Sequence, residues 1–95
     1  PAIEPADDLA GLRALVVDDN TTNRRILQRL LGRWGLSVEE AADGPSALAT
    51  LADAALPFDL VLLDYQMPVM DGLALAAAIH AAQGARAPAL VMLSS

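Results

Sequence analysis

The sequence predicts an α/β fold with a doubly wound parallel sheet. Short strand-like segments, most of them apolar, alternate with longer segments of helical periodicity, and three of the four predicted strands end in oxygen-bearing side chains. Such alternation favours parallel strands that are joined by right-handed helical crossovers. We therefore expect the element order β-α-β-α-β-α-β.

The first strand and the first helix have clear boundaries. Residues 14–17 form an apolar run that is too short for a helix and suits a strand buried on both faces. Thr21 and Thr22 are suitable N-caps for the helix that follows, and Gly35 ends it. The predicted apolar stripe of this helix consists of Ile26, Leu27, Leu30, Leu31 and Trp34. Its other faces carry Arg24, Arg25, Arg29 and Arg33, which we interpret as a solvated surface, with docking of a partner helix as the alternative.

Turn residues delimit the later elements. Residues 36–42 are expected to form the second strand, and the turn at 43–45 places Pro45 at the first position of the second helix. Residues 60–63 form another apolar strand, and residues 89–93 form the fourth. Asp71 is expected to cap the third helix. The predicted inward-facing residues of that helix are Leu73, Leu75, Ala76 and Ile79.

Composition and charge exclude several classes of function. The chain has 95 residues, no cysteine and one histidine, which excludes a disulfide scaffold and cysteine- or histidine-cluster metal sites. Twelve acidic residues against six basic ones give a net charge of −6, which argues against nucleic-acid binding. No apolar run approaches the roughly 18 residues of a membrane span. We expect a cytoplasmic domain that contacts neither nucleic acid nor membrane, preceded at 1–11 by an acidic linker.

Oxygen-bearing side chains follow three of the predicted strands. Asp18 and Asp19 come after the first strand, Asp64 after the third and Ser94 after the fourth. The carboxyl ends of the strands form the ligand-binding edge of an open α/β sheet. Carboxylates that meet there repel one another unless a cation lies among them, and oxygen ligands favour Mg²⁺. The sequence therefore predicts a magnesium site.

The motifs at these positions resemble the receiver domain of two-component response regulators, and most of all the receivers of hybrid sensor histidine kinases. The resemblance covers residues 12–95. It rests on the sequences VVDDN at 16–20, AADG at 41–44, LLD at 62–64, MPVMDG at 67–72 and LSS at 93–95. It implies a flavodoxin-like sheet of strand order 2-1-3-4, to which the family adds a fifth strand.

The resemblance also implies a phosphorelay function. Asp64 would accept a phosphoryl group from the phosphohistidine of a histidine kinase or a histidine phosphotransfer domain, and the Ser94 hydroxyl would bind that group. The implied Mg²⁺ ligands are Asp18, Asp19, Asp64 and the main-chain carbonyl of Gln66. The residues implied to shape the loop beside the acceptor are Met67, Pro68 and Gly72.

The chain departs from the family pattern at its end. Receivers have a lysine after the fifth strand, whereas this chain has no lysine and stops at Ser95. We therefore expect a receiver that lacks its fifth strand and last helices. Its fourth strand would lie at the edge of the sheet, where it could pair with a second copy. The main alternative to phosphoryl transfer is a degenerate or truncated receiver that serves only in docking or dimerisation.

Two other classes of protein fit the sequence less well. A haloacid-dehalogenase-like phosphatase needs a second aspartate two residues after the first, and position 66 is Gln. A nucleotide-binding fold needs a glycine-rich turn after the first strand, and residues 18–23 contain no glycine. An acidic turn there would also repel a pyrophosphate.

Overall fold

A computed structural model of the chain describes residues 10–53, 57–64, 67 and 70–93. The α/β alternation predicted from the sequence is confirmed in this part of the chain. The elements are β1 Arg13–Val17, α1 Thr21–Arg33, β2 Ser37–Ala41, α2 Gly44–Asp53, β3 Leu60–Asp64, α3 Gly72–Gln83, a 3₁₀ turn Gly84–Arg86 and β4 Ala89–Leu93. Residues 1–9 of the predicted linker lie outside the described residues. None of the described helices has the length and apolar character needed to cross a membrane.

The four described strands form one parallel sheet in the order β2-β1-β3-β4. This is the order that the resemblance implies. In the register of the sheet, Val17 at the end of β1 lies beside Ala41 of β2 and Leu63 of β3. The carboxyl ends of β1 and β3 are therefore neighbours, which is what brings their acidic residues together.

The core lies on both faces of the two central strands. Leu15 of β1 and Leu63 of β3 are fully buried in a cluster with residues of α2 and α3. Ala14 and Val16 point the other way and pack with Leu31 of α1. Burial on both faces accounts for the apolar character of these strands, which is typical of parallel sheets.

The helix starts differ in detail from the sequence prediction. The N-cap of α1 is Asn20, not Thr21 or Thr22: its backbone is extended, and its side chain accepts a hydrogen bond of 3.1 Å from the Asn23 N–H. Asn is as good a cap as Ser or Asp. The second helix begins at Gly44, so that Pro45 is its second residue.

Two other predicted boundaries can be compared with the structure. The Asp71 cap is confirmed, because its side chain accepts a bond of 2.8 Å from the Ala74 N–H. The second strand is shorter than predicted, since the Leu36 N–H donates to the Leu31 carbonyl at the end of α1 instead of pairing in the sheet.

The predicted apolar faces of α1 and α3 are wider than the buried ones. Ile26 and Leu30 of α1 are 59% and 41% exposed, and Leu73 of α3 is 57% exposed. Helical spacing identifies the side of a helix that is apolar, but burial also needs a neighbouring element to cover that side. In the described part of the chain, α1 buries Leu31 and half-buries Leu27.

Arg13 organises the amino-terminal edge of the sheet. Its guanidinium group pairs with Glu39 of β2 at 2.7 Å and lies over the Phe58 ring, 4.3 Å from the centroid. Its main-chain N–H donates to the Asp59 carboxylate at 2.8 Å. One residue thus connects β1 to β2 and to the segment that leads into β3.

The two outer strands of the described sheet differ in polarity. Glu39 and Glu40 give β2 two charged side chains, whereas β4 has only apolar residues. Val91 and Met92 of β4 are 41% and 37% exposed. Charged residues on an outer strand discourage pairing with another chain. Of these two strands, only β2 has this protection.

Candidate metal centre

Three aspartates meet at the carboxyl edge of the sheet. Asp18 directly follows β1, Asp19 lies next to it, and Asp64 is the last residue of β3. One carboxylate oxygen from each lies within 4.8 Å of the others. Asp18 and Asp64 are only 4% and 5% exposed, whereas Asp19 is exposed. The predicted meeting of these three side chains is confirmed.

The position of Asp18 is fixed by the turn from β1 into α1. Its N–H donates to the Ala41 carbonyl of β2 at 3.2 Å, and its carboxylate accepts a bond of 2.8 Å from the Asn20 N–H. Asn20 in turn caps α1. The asparagine that begins the helix therefore also holds the acidic side chain two residues before it.

The environment of Asp18 disfavours its charged form. Burial raises the pKa of Asp18 above its ordinary value of 3.8, and the carboxylates of Asp64 and Asp19 raise it further. Hydrogen bonds from the Asn20 N–H and the Asn23 side chain lower the pKa, but they do not outweigh burial and the two neighbouring carboxylates taken together. A cation among the three carboxylates would relieve their repulsion.

Arg24 stabilises this turn through hydrogen bonds that could not be predicted from the neighbouring sequence. Its Nη1 donates to the main-chain carbonyl of Asp18 at 2.6 Å, and its Nε donates to Glu40 of β2 at 3.3 Å. The side chain is 14% exposed, so the interpretation of Arg24 as part of a solvated face is wrong. Sequence reasoning overlooked the partner of Arg24, which is Glu40. Glu40 lies near the end of β2 and becomes a neighbour of Arg24 only when β2 pairs with β1.

The structure describes some of the other predicted site residues. Met67 is buried in the core cluster, and Gly72 is the buried first residue of α3. The role of these two residues in shaping the loop after β3 stays a prediction. Gln66, Pro68 and Ser94 lie outside the described residues, so their roles remain predictions.

The donor set fits Mg²⁺. All three side chains offer carboxylate oxygens, which are the ligands that Mg²⁺ prefers in proteins. Asp19 is exposed, which leaves room for the waters that this ion usually keeps. Asp18, Asp19 and Asp64 are the one group of three potential metal-ligating side chains found within the described part of the chain.

Comparison with known proteins identifies the family. The response regulator receiver domain family matches residues 14–95. The two-component response regulator ORR41 of Oryza sativa subsp. japonica is 46% identical over 63 residues, which cover 64% of this chain and 50% of ORR41. The autoinducer 2 sensor kinase/phosphatase LuxQ of Vibrio vulnificus is 44% identical over 63 residues, or 66% of this chain and 7% of LuxQ.

Solved structures show the same relationship. The receiver domain of the histidine kinase CKI1 from Arabidopsis thaliana, in complex with Mg²⁺ and BeF₃⁻, superposes with a TM-score of 0.77 at 32% identity. The match covers 93% of this chain and 68% of that one. The chain belongs to the response regulator receiver domain family of two-component phosphorelay systems. It spans half the length of ORR41 and a small part of LuxQ.

Proposed function

We propose that residues 12–95 act as a receiver that takes a phosphoryl group onto Asp64 in a Mg²⁺-dependent reaction, and that residues 1–11 precede it as a linker. One observation carries the proposal: Asp64 ends a buried strand with its carboxylate oxygen within 4.8 Å of those of Asp18 and Asp19. The phosphorylated domain would then change its interactions with partners.

The proposed transfer is a substitution at phosphorus. A carboxylate oxygen of Asp64 forms a new O–P bond while the P–N bond to the donor imidazole breaks, and the imidazole leaves with the electron pair. Bound Mg²⁺ would offset negative charge on the phosphoryl oxygens. Asp18, Asp19, Asp64 and the Gln66 carbonyl would hold the ion, and the Ser94 hydroxyl would bind the transferred group. Met67, Pro68 and Gly72 would shape the adjoining loop.

The proposed phosphoryl donor is a histidine kinase or a histidine phosphotransfer domain in the cytoplasm. The family membership and the kinase relatives support this assignment. The exposed pair Ile26 and Leu30 offers an apolar contact surface on α1, the helix that follows the acidic turn at Asp18 and Asp19. Three arginines at helical spacing border this pair, at Arg25, Arg29 and Arg33.

Phosphorylation by a small-molecule donor tests the proposal. Incubation of the chain with acetyl phosphate and Mg²⁺ should add one phosphoryl group by intact mass, and alkali should remove it because it is an acyl phosphate. The label should be absent from Asp64→Asn and retained in Asp59→Asn, a control at the opposite edge of the sheet. Equal labelling of Asp64→Asn and the parent chain would refute the assignment.

Self-association through β4 is a second candidate function. The observation that favours it is the exposure of Val91 and Met92 on β4, which is an outer strand of the described sheet and lacks charged residues. Such a strand is a template for pairing with a second copy. In this case the receiver would be degenerate or truncated and would serve only as a docking or dimerisation module.

A further inference from the structure

We propose that Arg24 is a positioning residue for the metal centre, and that it holds the peptide group from which Asp19 projects. This inference rests on the proposed function, because it assumes that Asp19 binds Mg²⁺. Arg24 would then control the affinity of the site for Mg²⁺, although it takes no part in the proposed phosphoryl transfer.

The guanidinium group of Arg24 connects three separate segments. Nη1 donates to the Asp18 carbonyl at 2.6 Å, Nε donates to Glu40 at 3.3 Å, and Nη2 donates to the Thr21 hydroxyl at 3.2 Å. These partners lie after β1, within β2 and at the start of α1. The planar fork of arginine suits this task, because one rigid group aims several donors in fixed directions.

The bond to Asp18 acts on Asp19 through the backbone. The Asp18 carbonyl belongs to the peptide group that joins the two aspartates. A hydrogen bond that fixes the direction of this carbonyl also fixes the orientation of the peptide plane that precedes the Cα of Asp19. Asp19 lies in neither β1 nor α1. Partners that orient metal ligands typically change metal affinity by 10–100-fold when they are removed.

The sign of the effect separates positioning from simple electrostatics. The Arg24 cation lies beside the Asp18 carbonyl and opposes the binding of a second cation nearby, so loss of charge alone at position 24 would tighten Mg²⁺ binding. Loss of positioning would weaken it. Arg24→Gln removes both the positive charge and the planar guanidinium group, whereas Arg24→Lys keeps the charge and removes the planar group.

The chain contains a matched control at the other end of the same strands. Arg13 pairs with Glu39 of β2 at 2.7 Å, much as Arg24 pairs with Glu40. The Arg13 pair lies at the amino-terminal edge of the sheet, away from the aspartates. Arg13→Gln therefore breaks a comparable Arg–Glu pair without touching the metal centre.

The experiment measures Mg²⁺ affinity by NMR titration, together with amide hydrogen exchange of Asp19 and Asn20 in the metal-free protein. We expect Arg24→Gln to weaken binding roughly 10–100-fold and to speed exchange at these amides. Arg24→Lys should also weaken binding, and Arg13→Gln should leave both readouts at the parent value. Urea unfolding shows how much stability each variant loses.

Each outcome decides between the explanations. Unchanged or tighter Mg²⁺ binding in Arg24→Gln, or parental affinity in Arg24→Lys, overturns the positioning role. If Arg24→Gln does not fold, the same test compares Glu40→Gln, which removes a partner of Arg24, with Glu39→Gln as its control. Equal Mg²⁺ affinities of these two variants overturn the positioning role. If the parent chain binds no Mg²⁺, or Asp19→Asn leaves affinity unchanged, the proposed metal centre itself is wrong.

Discussion

Gly44 lies so close to Met70 that a β-carbon at position 44 would force the Met70 side chain to move. A β-carbon built on Gly44 would lie 2.7 Å from Sδ of Met70 and 3.1 Å from its Cβ. Gly44 is the buried first residue of α2, and Met70 lies just before the Asp71 cap of α3. The contact therefore joins two turns at the carboxyl edge of the sheet.

Gly44→Ala is expected to destabilise the protein. The sulfur of Met70 can swing away, but its Cβ can move only with the backbone, and overpacking of this kind costs about 1–3 kcal/mol. The better helix propensity of alanine offsets at most about 1 kcal/mol. Gly32→Ala in α1 is the control, because a β-carbon there has nothing within 4 Å and alanine should stabilise the helix. Urea unfolding of the two variants should give changes of opposite sign, and equal stability would contradict the contact.

Asp18→Asn is expected to stabilise the metal-free protein at neutral pH. Burial raises the folded-state pKa of Asp18 above 3.8. Around these two pKa values, Asp18 is therefore protonated to a greater extent in the folded state than in the unfolded state. The unfavourable contribution of Asp18 is therefore largest above the raised pKa and fades below 3.8. Asparagine removes the charge and keeps an oxygen that can accept the Asn20 N–H bond.

Urea unfolding in EDTA between pH 3 and pH 7 measures this effect. The gain in the free energy of unfolding from Asp18→Asn should be greatest at pH 7 and vanish at the acidic end. Saturating Mg²⁺ should reduce the gain, because ion binding stabilises the parent through Asp18. A variant that is less stable than the parent in EDTA at pH 7 would contradict the prediction.

Asp43 is expected to show the opposite pH dependence. Hydrogen bonds from the Ser46 N–H and hydroxyl hold the pKa of Asp43 below 3.8. Its charge therefore contributes stability above 3.8, which is lost as pH falls through the lowered pKa. Asp43→Asn keeps an acceptor but loses the charge, so its melting temperature should fall below the parent's at pH 7 and converge with it in acid. Asp53→Asn, at the other end of α2, should cause no loss at pH 7.

Val91→Lys is expected to prevent the self-association proposed for β4. A lysine on an exposed strand edge makes pairing with a second copy unfavourable. Sedimentation velocity over a concentration series should show association of the parent chain and a monomer for the variant. Leu73→Lys changes an apolar residue on α3 that is more exposed than Val91, 57% against 41%, and should leave the association unchanged. A monomeric parent chain at every concentration would rule out the β4 interface.

The strand alternation and the meeting of Asp18 with Asp64 could be predicted from the sequence because both follow from local patterns. An apolar run that ends in an acid predicts a buried strand and places that acid at the carboxyl edge. The surfaces of α1 were not predictable in this way, because Ile26 and Leu30 obey the same period as buried Leu31. The role of Arg24 depends on the partner strand, and no local pattern records that β2 places Glu40 within its reach.

The order of the strands in the sheet also constrains how the chain folds. One crossover separates β1 from its neighbour β2, and two crossovers separate β1 from its other neighbour, β3. The hydrogen bond between Arg13 of β1 and Asp59, just before β3, spans 46 residues. Contacts between such distant residues form late and slowly. We therefore expect the mutual repulsion of Asp18 and Asp64 to arise when β3 docks against β1. Ions that screen or bind these carboxylates should accelerate that step.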